Sequence, residues 1–447
     1  MTTADRPWRS DPARDFARAE HERLARIGLT DALDVDALDD ELHRLISTQE
    51  RHLDDCLVLY AGTNEPNPRI ARLLGSAIGS RPNLGPPGDT WNRGMVDGAR
   101  MSVLADELLA RLFNCRYVES RVSSGSVANL YSYFATTKPG DAILAFSDDA
   151  AGHVTHHRAG AAGLAGLEVH DLPFDPARMD VDLQTLHKSV EQIRPGLIIM
   201  AGSMCLFPYD VKGVREIADT VGAHVLYDAA HMGGLIAGGA FQQPLAEGAH
   251  LMTGSTYKSF GGPPSGMILT NDAALAERLD EIAYPGLTAN FDLARQAALT
   301  IAVMDLLVYG PAYAAACIAN AVSLANSLTA RGVAVFRPSG RGGLATASQH
   351  VAIDAHPYGG GNHAAKQLEP ANLLCSSIGL PLPHISGEAN GIRFGTQELT
   401  RRGMGPAEMS AVADLVARVL VENEPGELVR ADVVALRRAF AKLAYVR

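Results

Sequence analysis

Short, mostly apolar runs alternate with helical stretches through the middle of the chain. The runs are 142–146, 197–200 and 224–227, and a helical pattern such as 210–221 lies between them. Apolar runs of four or five residues between helices are typical of parallel strands that are buried on both faces. The pattern therefore predicts an α/β fold with a mostly parallel sheet covered by helices.

The pattern changes on either side of this region. Near the N-terminus apolar side chains recur at helical spacing: Val35, Leu38, Leu42, Leu45 and Ile46. They predict a helical arm over residues 1–60. A long helical stretch ends near residue 330. The pattern after it is that of short strands, at 333–336, 350–353 and 391–395, followed by a helix pair. We therefore predict a large domain over 61–330 and a smaller α+β domain over 331–447.

Composition narrows the class of protein. Of the 447 residues, 47% are hydrophobic and 20% are charged, which is typical of a globular chain. The formal net charge of -11 disfavours nucleic acid or an anionic membrane as a partner. The five cysteines are scattered without a CxxC motif, which favours a reducing compartment. No apolar run approaches the roughly 20 residues of a membrane span, and we expect a cytoplasmic protein.

One segment carries a specific chemical pattern. An apolar strand ends at Asp228, and Lys258 follows the Thr/Ser cluster 253–256 and precedes a Gly/Pro turn. Pyridoxal 5'-phosphate (PLP) needs a lysine for its Schiff base, a carboxylate that keeps the pyridine nitrogen protonated, and hydroxyls that hold the phosphate. A lone aspartate at a strand end is usually a loop residue and a lone lysine is usually solvated, but the combination predicts a PLP site.

Two further motifs fit this hypothesis and also have simpler explanations. The small residues Ser123–Ser126 lie between a predicted strand and a predicted helix, where they either bind a phosphate or only cap the helix. Arg393 lies in an apolar strand, where it either binds a substrate carboxylate or forms a structural ion pair.

The histidine cluster is open to three interpretations. His153, His156 and His157 have the spacing of a helical metal site, of a polar loop, or of an imidazole that stacks on a cofactor ring. No acidic ligand follows at close spacing, and we predict no metal.

These motifs resemble one enzyme family. Residues 227–239 with 255–258, and residues 391–396 with 400–404, resemble the cofactor core and C-terminal signature of serine hydroxymethyltransferases and related PLP fold-type I aldolases. The likeness runs from about Gln49 to the C-terminus. It implies a seven-stranded, mostly parallel sheet in the large domain, PLP as the cofactor, and a homodimer or a dimer of dimers with shared active sites.

The resemblance also implies roles for single residues. Lys258 forms the Schiff base, Asp228 pairs with the pyridinium, His153 stacks on the ring, and Arg393 binds the substrate carboxylate. The phosphate is held by Ser124, Gly125, Ser126 and Ser255. Ser203 and His231 contact the hydroxyl side of the ring. A phosphate contact from the neighbouring chain is implied for Thr288, Ala289 and Asn290.

The departures from the family concern the substrate end of the site. Leu84 stands where the family has the glutamate used in folate-dependent transfer, and leucine cannot transfer a proton. The family's Ser-Glu-Asn reads Gly62-Thr63-Asn64, which makes Thr63 and Asn64 candidate substrate contacts. Tyr257 replaces the histidine before the lysine, and Pro264 replaces an arginine after it. A site enlarged around Gly62 and Leu84 would accommodate an extra methyl group.

The expected function is PLP-dependent, reversible retro-aldol cleavage of a small β-hydroxy amino acid into an aldehyde and an amino-acid product. The missing glutamate favours a folate-independent aldolase, with α-methylserine cleaved to formaldehyde and alanine as the specific hypothesis and threonine-type aldolase or transaldolase chemistry next. Tyr257 or a loop histidine would transfer the proton. The alternatives are a tetrahydrofolate-dependent hydroxymethyltransferase that uses another carboxylate such as Glu65, an aminotransferase, and a non-catalytic PLP-binding regulator.

Overall fold

The computed structural model describes residue 6 and residues 8–447, and the chain divides after Cys56 into two compact units. The first unit holds two helices, α1 (Asp11–Ile27) and α2 (Val35–Asp54). The side chain of Asp34 caps α2 by accepting a hydrogen bond from the backbone N–H of Ala37 at 3.0 Å. The helical spacing noted in the sequence lies on α2, where Val35 and Leu42 are exposed.

The second unit, Leu57–Arg447, contains all the strands of the described residues. The strands are β1 (Leu57–Val58), β2 (Asn83–Leu84), β3 (Tyr117–Val122), β4 (Ala142–Ala145), β5 (Glu168–Asp171), β6 (Phe174–Asp175), β7 (Asp180–Val181), β8 (Leu197–Ala201), β9 (His224–Asp228), β10 (Leu251–Ser255), β11 (Gly266–Thr270), β12 (Asn290–Phe291), β13 (His350–Asp354), β14 (Leu373–Leu374), β15 (Ser376–Ile378) and β16 (Gly391–Gly395). The helices are α3 (Pro68–Leu74), α4 (Val96–Phe113), α5 (Gly125–Thr136), α6 (Ala161–Leu164), α7 (Leu183–Ile193), α8 (Val211–Asp219), α9 (Gly233–Ala237), α10 (Pro244–Glu247), α11 (Ala273–Glu281), α12 (Leu293–Ala330), α13 (Gly361–Leu368), α14 (Gln397–Arg401), α15 (Met409–Leu420) and α16 (Gly426–Ala439).

Seven strands form the main sheet, in the order β3-β11-β10-β9-β8-β4-β5. Only β11 runs antiparallel to its neighbours, so the predicted seven-stranded, mostly parallel sheet is confirmed. All five residues of β8 are buried, because apolar side chains on both faces of this central strand pack against the covering layers. Each fully buried isoleucine or leucine contributes about 1.5–3 kcal/mol.

A second hydrophobic core lies around the three-stranded sheet β13-β16-β15. It includes Leu57 and Leu59, because β1 pairs in parallel with β14, and it includes the C-terminal part of α12 from Ala321 to Leu328. The two residues of β1 therefore pack with the C-terminal region, although the sequence analysis assigned them to the arm.

The predicted strand at 333–336 is reduced to a single β-bridge. Only Val335 forms an isolated bridge, with Ile353. Two backbone hydrogen bonds flank this bridge, from the N–H of Phe336 to the carbonyl oxygen of Ala352 at 2.9 Å and from the N–H of Asp354 to the carbonyl oxygen of Ala334 at 2.8 Å.

Helix α12 is the one helix of the described residues that is long and apolar enough to cross a membrane by length and composition alone. The sequence analysis expected no such run. The buried side chains of α12 belong to both hydrophobic cores of the second unit, and buried core helices pass the same test.

Candidate active site

The site is built at the carboxyl ends of parallel strands, where open α/β sheets commonly bind ligands. Asp228 ends β9 and Ser255 ends β10, with Lys258 three residues later. Ser203 follows β8, and Ser124 follows β3. Because these strands run in the same direction, residues far apart in the sequence meet at one edge of the sheet.

Asp228 is buried and held by three hydrogen-bond donors. Its Oδ2 accepts from Asn129 Nδ2 and His156 Nε2, each at 2.9 Å, and its Oδ1 accepts from the backbone N–H of Ala230 at 2.9 Å. Burial alone would raise the pKa of Asp228, but the hydrogen bond and charge of His156 hold that pKa well below its usual range. The Asp228 carboxylate stays ionised, and its Oδ1 atom can accept one further hydrogen bond.

The support for Asp228 continues to Tyr133, which the sequence analysis did not identify. Tyr133 Oη lies 2.6 Å from His156 Nδ1 and also donates to the carbonyl oxygen of Thr155 at 3.2 Å. Asn129 is fixed in the same way, because its Oδ1 accepts from Thr253 Oγ1 at 2.7 Å on β10. Helix α5 therefore carries two residues whose side chains orient the carboxylate of β9.

Lys258 lies among positive and polar groups and is 6% exposed. Its Nζ is 3.0 Å from His231 Nε2. Burial lowers the pKa of Lys258 to about 8, with the Asp228 carboxylate opposing this shift and the Arg393 guanidinium adding to it. The amine can therefore lose its proton near neutral pH, as a Schiff-base lysine must.

His231 is a neutral acceptor between two cations. Its Nδ1 lies 3.1 Å from the carbonyl oxygen of Ala61, so this nitrogen carries the hydrogen and Nε2 keeps a lone pair. Burial, and then the charges of Lys258 and Arg393, lower the pKa of His231 well below its usual value. The Arg393 Nη1 atom lies 3.5 Å from the same Nε2.

The three clustered histidines have separate partners. His153 Nδ1 is 2.7 Å from Thr155 Oγ1, His156 faces Asp228, and His157 Nε2 is 3.0 Å from the carbonyl oxygen of Phe146. They do not converge on one point, so their spacing is not that of a metal site. Burial lowers the pKa of His153 to about 4, which keeps this imidazole neutral.

The segment predicted to hold the phosphate lies where α5 begins. The Ser124 side chain caps the helix by accepting from the backbone N–H of Val127 at 3.2 Å. The first N–H groups of a helix have no partner within it and attract anions. A Cβ on Gly125 would lie 2.2 Å from Ser255 Oγ, so only glycine lets this hydroxyl approach the helix end. Ser126 is exposed on the same first turn.

Arg393 is a buried cation whose contacts are neutral groups. Its Nη1 donates to the carbonyl oxygen of Ser203, and its Nη2 donates to Ser376 Oγ at 3.1 Å. Its Nε is buried without a hydrogen bond, and no carboxylate of the described residues pairs with it. Burial lowers the pKa of Arg393 to about 10, which leaves it charged at neutral pH. The structural ion pair considered from the sequence is therefore not formed, and the guanidinium requires an anion.

The loop after β1 differs from the sequence expectation. The Thr63 hydroxyl donates to Glu398 Oε2 at 3.4 Å, and Asn64 Nδ2 donates to Tyr313 Oη at 2.8 Å. Both side chains are thus bonded to other protein groups. The space above Gly62 is filled, because a Cβ there would lie 2.5 Å from Cζ of Tyr60. The expectation that Gly62 enlarges the site is therefore wrong.

The remaining predicted positions lie at the edges of the site or in another segment. Tyr257 is half-buried beside Lys258, and Ser203 Oγ donates to the carbonyl oxygen of Gly152 at 3.3 Å. Leu84 pairs with Asn290 through strands β2 and β12. Thr288 Oγ1 lies 2.5 Å from Tyr131 Oη. Tyr131 is on α5, more than one turn after the Ser124–Ser126 segment.

The residues present fit PLP. An ionised, buried Asp228 has an acceptor position left, Lys258 can deprotonate, and the Gly125–Ser255 contact forms a cradle at a helix N-terminus. Each of these features matches one chemical group of the cofactor: the ring nitrogen, the aldehyde and the phosphate.

Known proteins that are similar to this chain are named as aldolases or hydroxymethyltransferases. An alpha-methylserine aldolase of a Ralstonia species is 44% identical over 445 residues, with 99% of each chain covered. One from Variovorax paradoxus is 46% identical over 431 residues, covering 96% of this chain and 97% of that protein. A serine hydroxymethyltransferase of Methanopyrus kandleri is 39% identical over 412 residues, covering 91% and 95%.

A solved structure and a family model agree with these relatives. The crystal structure of L-threonine transaldolase from Pseudomonas fluorescens superposes with a TM-score of 0.82 at 23% identity, covering 97% of this chain and 96% of that one, which shows the fold. The model described as serine hydroxymethyltransferase matches residues 35–416. The chain therefore belongs to the serine hydroxymethyltransferase family and is a PLP-dependent enzyme.

Proposed function

We propose that this enzyme catalyses reversible, folate-independent retro-aldol cleavage of α-methylserine to formaldehyde and alanine. Four relatives named alpha-methylserine aldolase, at 44–46% identity over at least 95% of the chain, support this substrate. The observation that carries the proposal is the line Lys258–His231–Arg393, in which a lysine with a lowered pKa and an arginine without a carboxylate face the same imidazole.

The substrate's carboxylate binds Arg393, which also orients the amino group toward Lys258. A forked guanidinium fits a carboxylate with two hydrogen bonds, and desolvation strengthens that pairing. The buried Nε of Arg393 would gain a partner in this way. Alanine, the amino-acid product, keeps the same carboxylate, so binding persists through the reaction in both directions.

The cofactor, when bound, supplies an electron sink for the bond that breaks. The chain's contribution is to keep Asp228 ionised against the ring nitrogen and to place the neutral His153 against the ring. Hydroxyls and N–H groups of Ser124, Gly125, Ser126 and Ser255 would hold the phosphate. Ser203 and His231 would contact the hydroxyl side of the ring.

Proton transfer is assigned to the groups around Lys258. Lys258 is the first of them, and its Nζ is oriented by a hydrogen bond to the lone pair of His231 Nε2, whose Nδ1–H is already committed to Ala61. Tyr257, next to the lysine and half-buried, is the second group assigned to proton transfer at the β-hydroxyl.

Folate independence is supported by two positions. Leu84 has no group that can transfer a proton. Glu65, the carboxylate considered as a substitute, pairs with Arg402 and lies 4.0 Å from Arg437. The Glu65 carboxylate is thus already engaged by two guanidinium groups.

The assembly proposed from the family resemblance is a homodimer or a dimer of dimers with shared sites. The pairing of β2 with β12 joins the loop of Leu84 to that of Thr288–Asn290, so both would enter a neighbouring site together. Light scattering of the purified enzyme measures the number of subunits, and a monomer would contradict this arrangement. The cytoplasmic location stays a prediction.

The test is aldehyde release from α-methylserine, serine and threonine, each with and without tetrahydrofolate, with the Lys258→Ala variant as the inactive control. We expect formaldehyde from α-methylserine at the same rate in both conditions. Strict dependence on tetrahydrofolate would identify a hydroxymethyltransferase instead. An absence of aldehyde from all three substrates would contradict aldol chemistry.

A further inference from the structure

Tyr60 lies beside Arg393 and has no part in the mechanism above. The centre of its ring is 5.9 Å from Cζ of Arg393, within the range of a cation–π contact. The residue is 37% exposed, whereas Arg393 is 5% exposed. Within the described residues the Tyr60 hydroxyl makes no hydrogen bond. A free phenol therefore stands next to a buried guanidinium that lacks an anion.

Gly62 is the residue that allows this position of the ring. A Cβ built on Gly62 would lie 2.5 Å from Cζ and 2.6 Å from Oη of Tyr60, closer than real Cβ atoms come to other atoms. Any larger residue at 62 would push the phenol away from its place. The position of the Tyr60 ring therefore depends on glycine at 62, and we call these two residues a matched pair.

The backbone around Tyr60 is fixed on both sides. The N–H of Leu59 donates to the carbonyl oxygen of Leu374 at 2.7 Å, and the N–H of Gly395 donates to the carbonyl oxygen of Leu59 at 2.8 Å. Gln397 Nε2 donates to the carbonyl oxygen of Tyr60 at 3.2 Å. Gly395 belongs to the same strand as Arg393, so the backbone segments that carry the phenol and the guanidinium are hydrogen-bonded to each other. A ligand that contacts both side chains therefore binds without having to order a loop.

We propose that Tyr60 is a substrate-binding residue that completes the carboxylate pocket of Arg393, and that Gly62 seats its ring. This inference rests on the proposed function, which assigns the substrate carboxylate to Arg393. A carboxylate accepts about four hydrogen bonds, and a guanidinium fork supplies two of them. The phenol O–H supplies a third donor from the more open side of the pocket.

The experiment measures binding of an unreactive amino acid to the holoenzyme. The ligand 2-aminoisobutyrate has no β-hydroxyl group and no α-hydrogen, and isopropylamine is the matched amine without a carboxylate. Both are titrated by the change in visible absorbance of the bound cofactor. For Tyr60→Phe we expect the Kd of 2-aminoisobutyrate to rise about tenfold, the loss of one hydrogen bond to a charged group. The Kd of isopropylamine should not change.

Tyr309→Phe is the control substitution, because Tyr309 is also about one third exposed and lies on α12. It should bind both ligands as the unaltered enzyme does. An unchanged Kd of 2-aminoisobutyrate in Tyr60→Phe would overturn the inference. An equal rise for both ligands would also overturn it, because the effect would then not involve the carboxylate.

A second variant tests the pairing with Gly62. Gly62→Ala should displace the phenol and weaken 2-aminoisobutyrate about as much as Tyr60→Phe does. The double variant should then bind no more weakly than either single variant, since both remove one interaction. Losses that multiply in the double variant would contradict the matched pair.

Arg393→Gln separates this inference from the function on which it rests. If Arg393→Gln loses 2-aminoisobutyrate while Tyr60→Phe binds it normally, only the role of Tyr60 fails. If Arg393→Gln binds 2-aminoisobutyrate as the unaltered enzyme does, the carboxylate assignment itself fails.

Discussion

Replacing Arg393 should change the acidity of Lys258, because both side chains face one imidazole. Both face His231 Nε2, with Lys258 Nζ at 3.0 Å and Arg393 Nη1 at 3.5 Å. The two cations can therefore be no more than about 6.5 Å apart. A positive neighbour disfavours the protonated amine, so Arg393→Gln should raise the pKa of Lys258 from its value of about 8.

The size of the effect follows from Coulomb's law. At an effective dielectric constant of about 20, two unit charges about 6.5 Å apart repel by about 2.5 kcal/mol. One pKa unit corresponds to about 1.4 kcal/mol, so the full repulsion is worth about two units. Water that enters the space left by the guanidinium screens part of this repulsion. We therefore expect an upward shift of about one to two units.

The assay is the pH dependence of PLP capture by the apoenzyme, because only the neutral amine of Lys258 attacks the aldehyde of the cofactor. The capture rate should rise with pH through the pKa of the lysine, and in Arg393→Gln the midpoint should move to higher pH. Arg331→Gln, which removes an arginine paired with Asp414 elsewhere, is the charge-matched control. A midpoint in Arg393→Gln that stays in place or moves to lower pH would refute the electrostatic argument.

Two further predictions concern the supports of the cofactor site. His156→Phe removes the 2.9 Å donor of the buried Asp228 and should lower the free energy of unfolding by about 1.5–3 kcal/mol, measured by urea denaturation; an unchanged midpoint would show that the donor is dispensable. Gly125→Ala places a Cβ 2.2 Å from Ser255 Oγ and should weaken PLP retention in equilibrium dialysis, whereas full retention would contradict the proposed phosphate cradle.

The sequence predicted the parts of the fold that local pattern determines. Buried strands such as β8 and β9 are short apolar runs, and the direction of parallel strands then brings their ends together, as for Asp228 and Lys258. The segment 333–336 has the composition of a strand, but its pairing with β13 is limited to one bridge, between Val335 and Ile353. Propensity alone does not decide how far such a pairing extends.

The contacts that the sequence did not reveal join distant positions. His156 reaches Asp228 from a loop, Tyr133 on α5 supports His156, and each of them is locally an ordinary polar residue. The small residue Gly62 suggested an enlarged substrate site, but in the structure the ring of Tyr60 fills that space. A side chain's direction depends on the surrounding packing, which a motif does not specify.

Helix α12 makes the two hydrophobic cores of the second unit inseparable as folding modules. Its first half contributes Leu299, Val303 and Leu306 to the core beside the main sheet, and its last turns contribute Leu324 and Leu328 to the core beside β16. A fragment that begins at residue 331 would lack the α12 side chains, such as Leu324 and Leu328, that pack in the second core. The C-terminal segment is therefore not an autonomous module that can be excised or exchanged at that boundary, and recombination within the family has to carry the helix along with it.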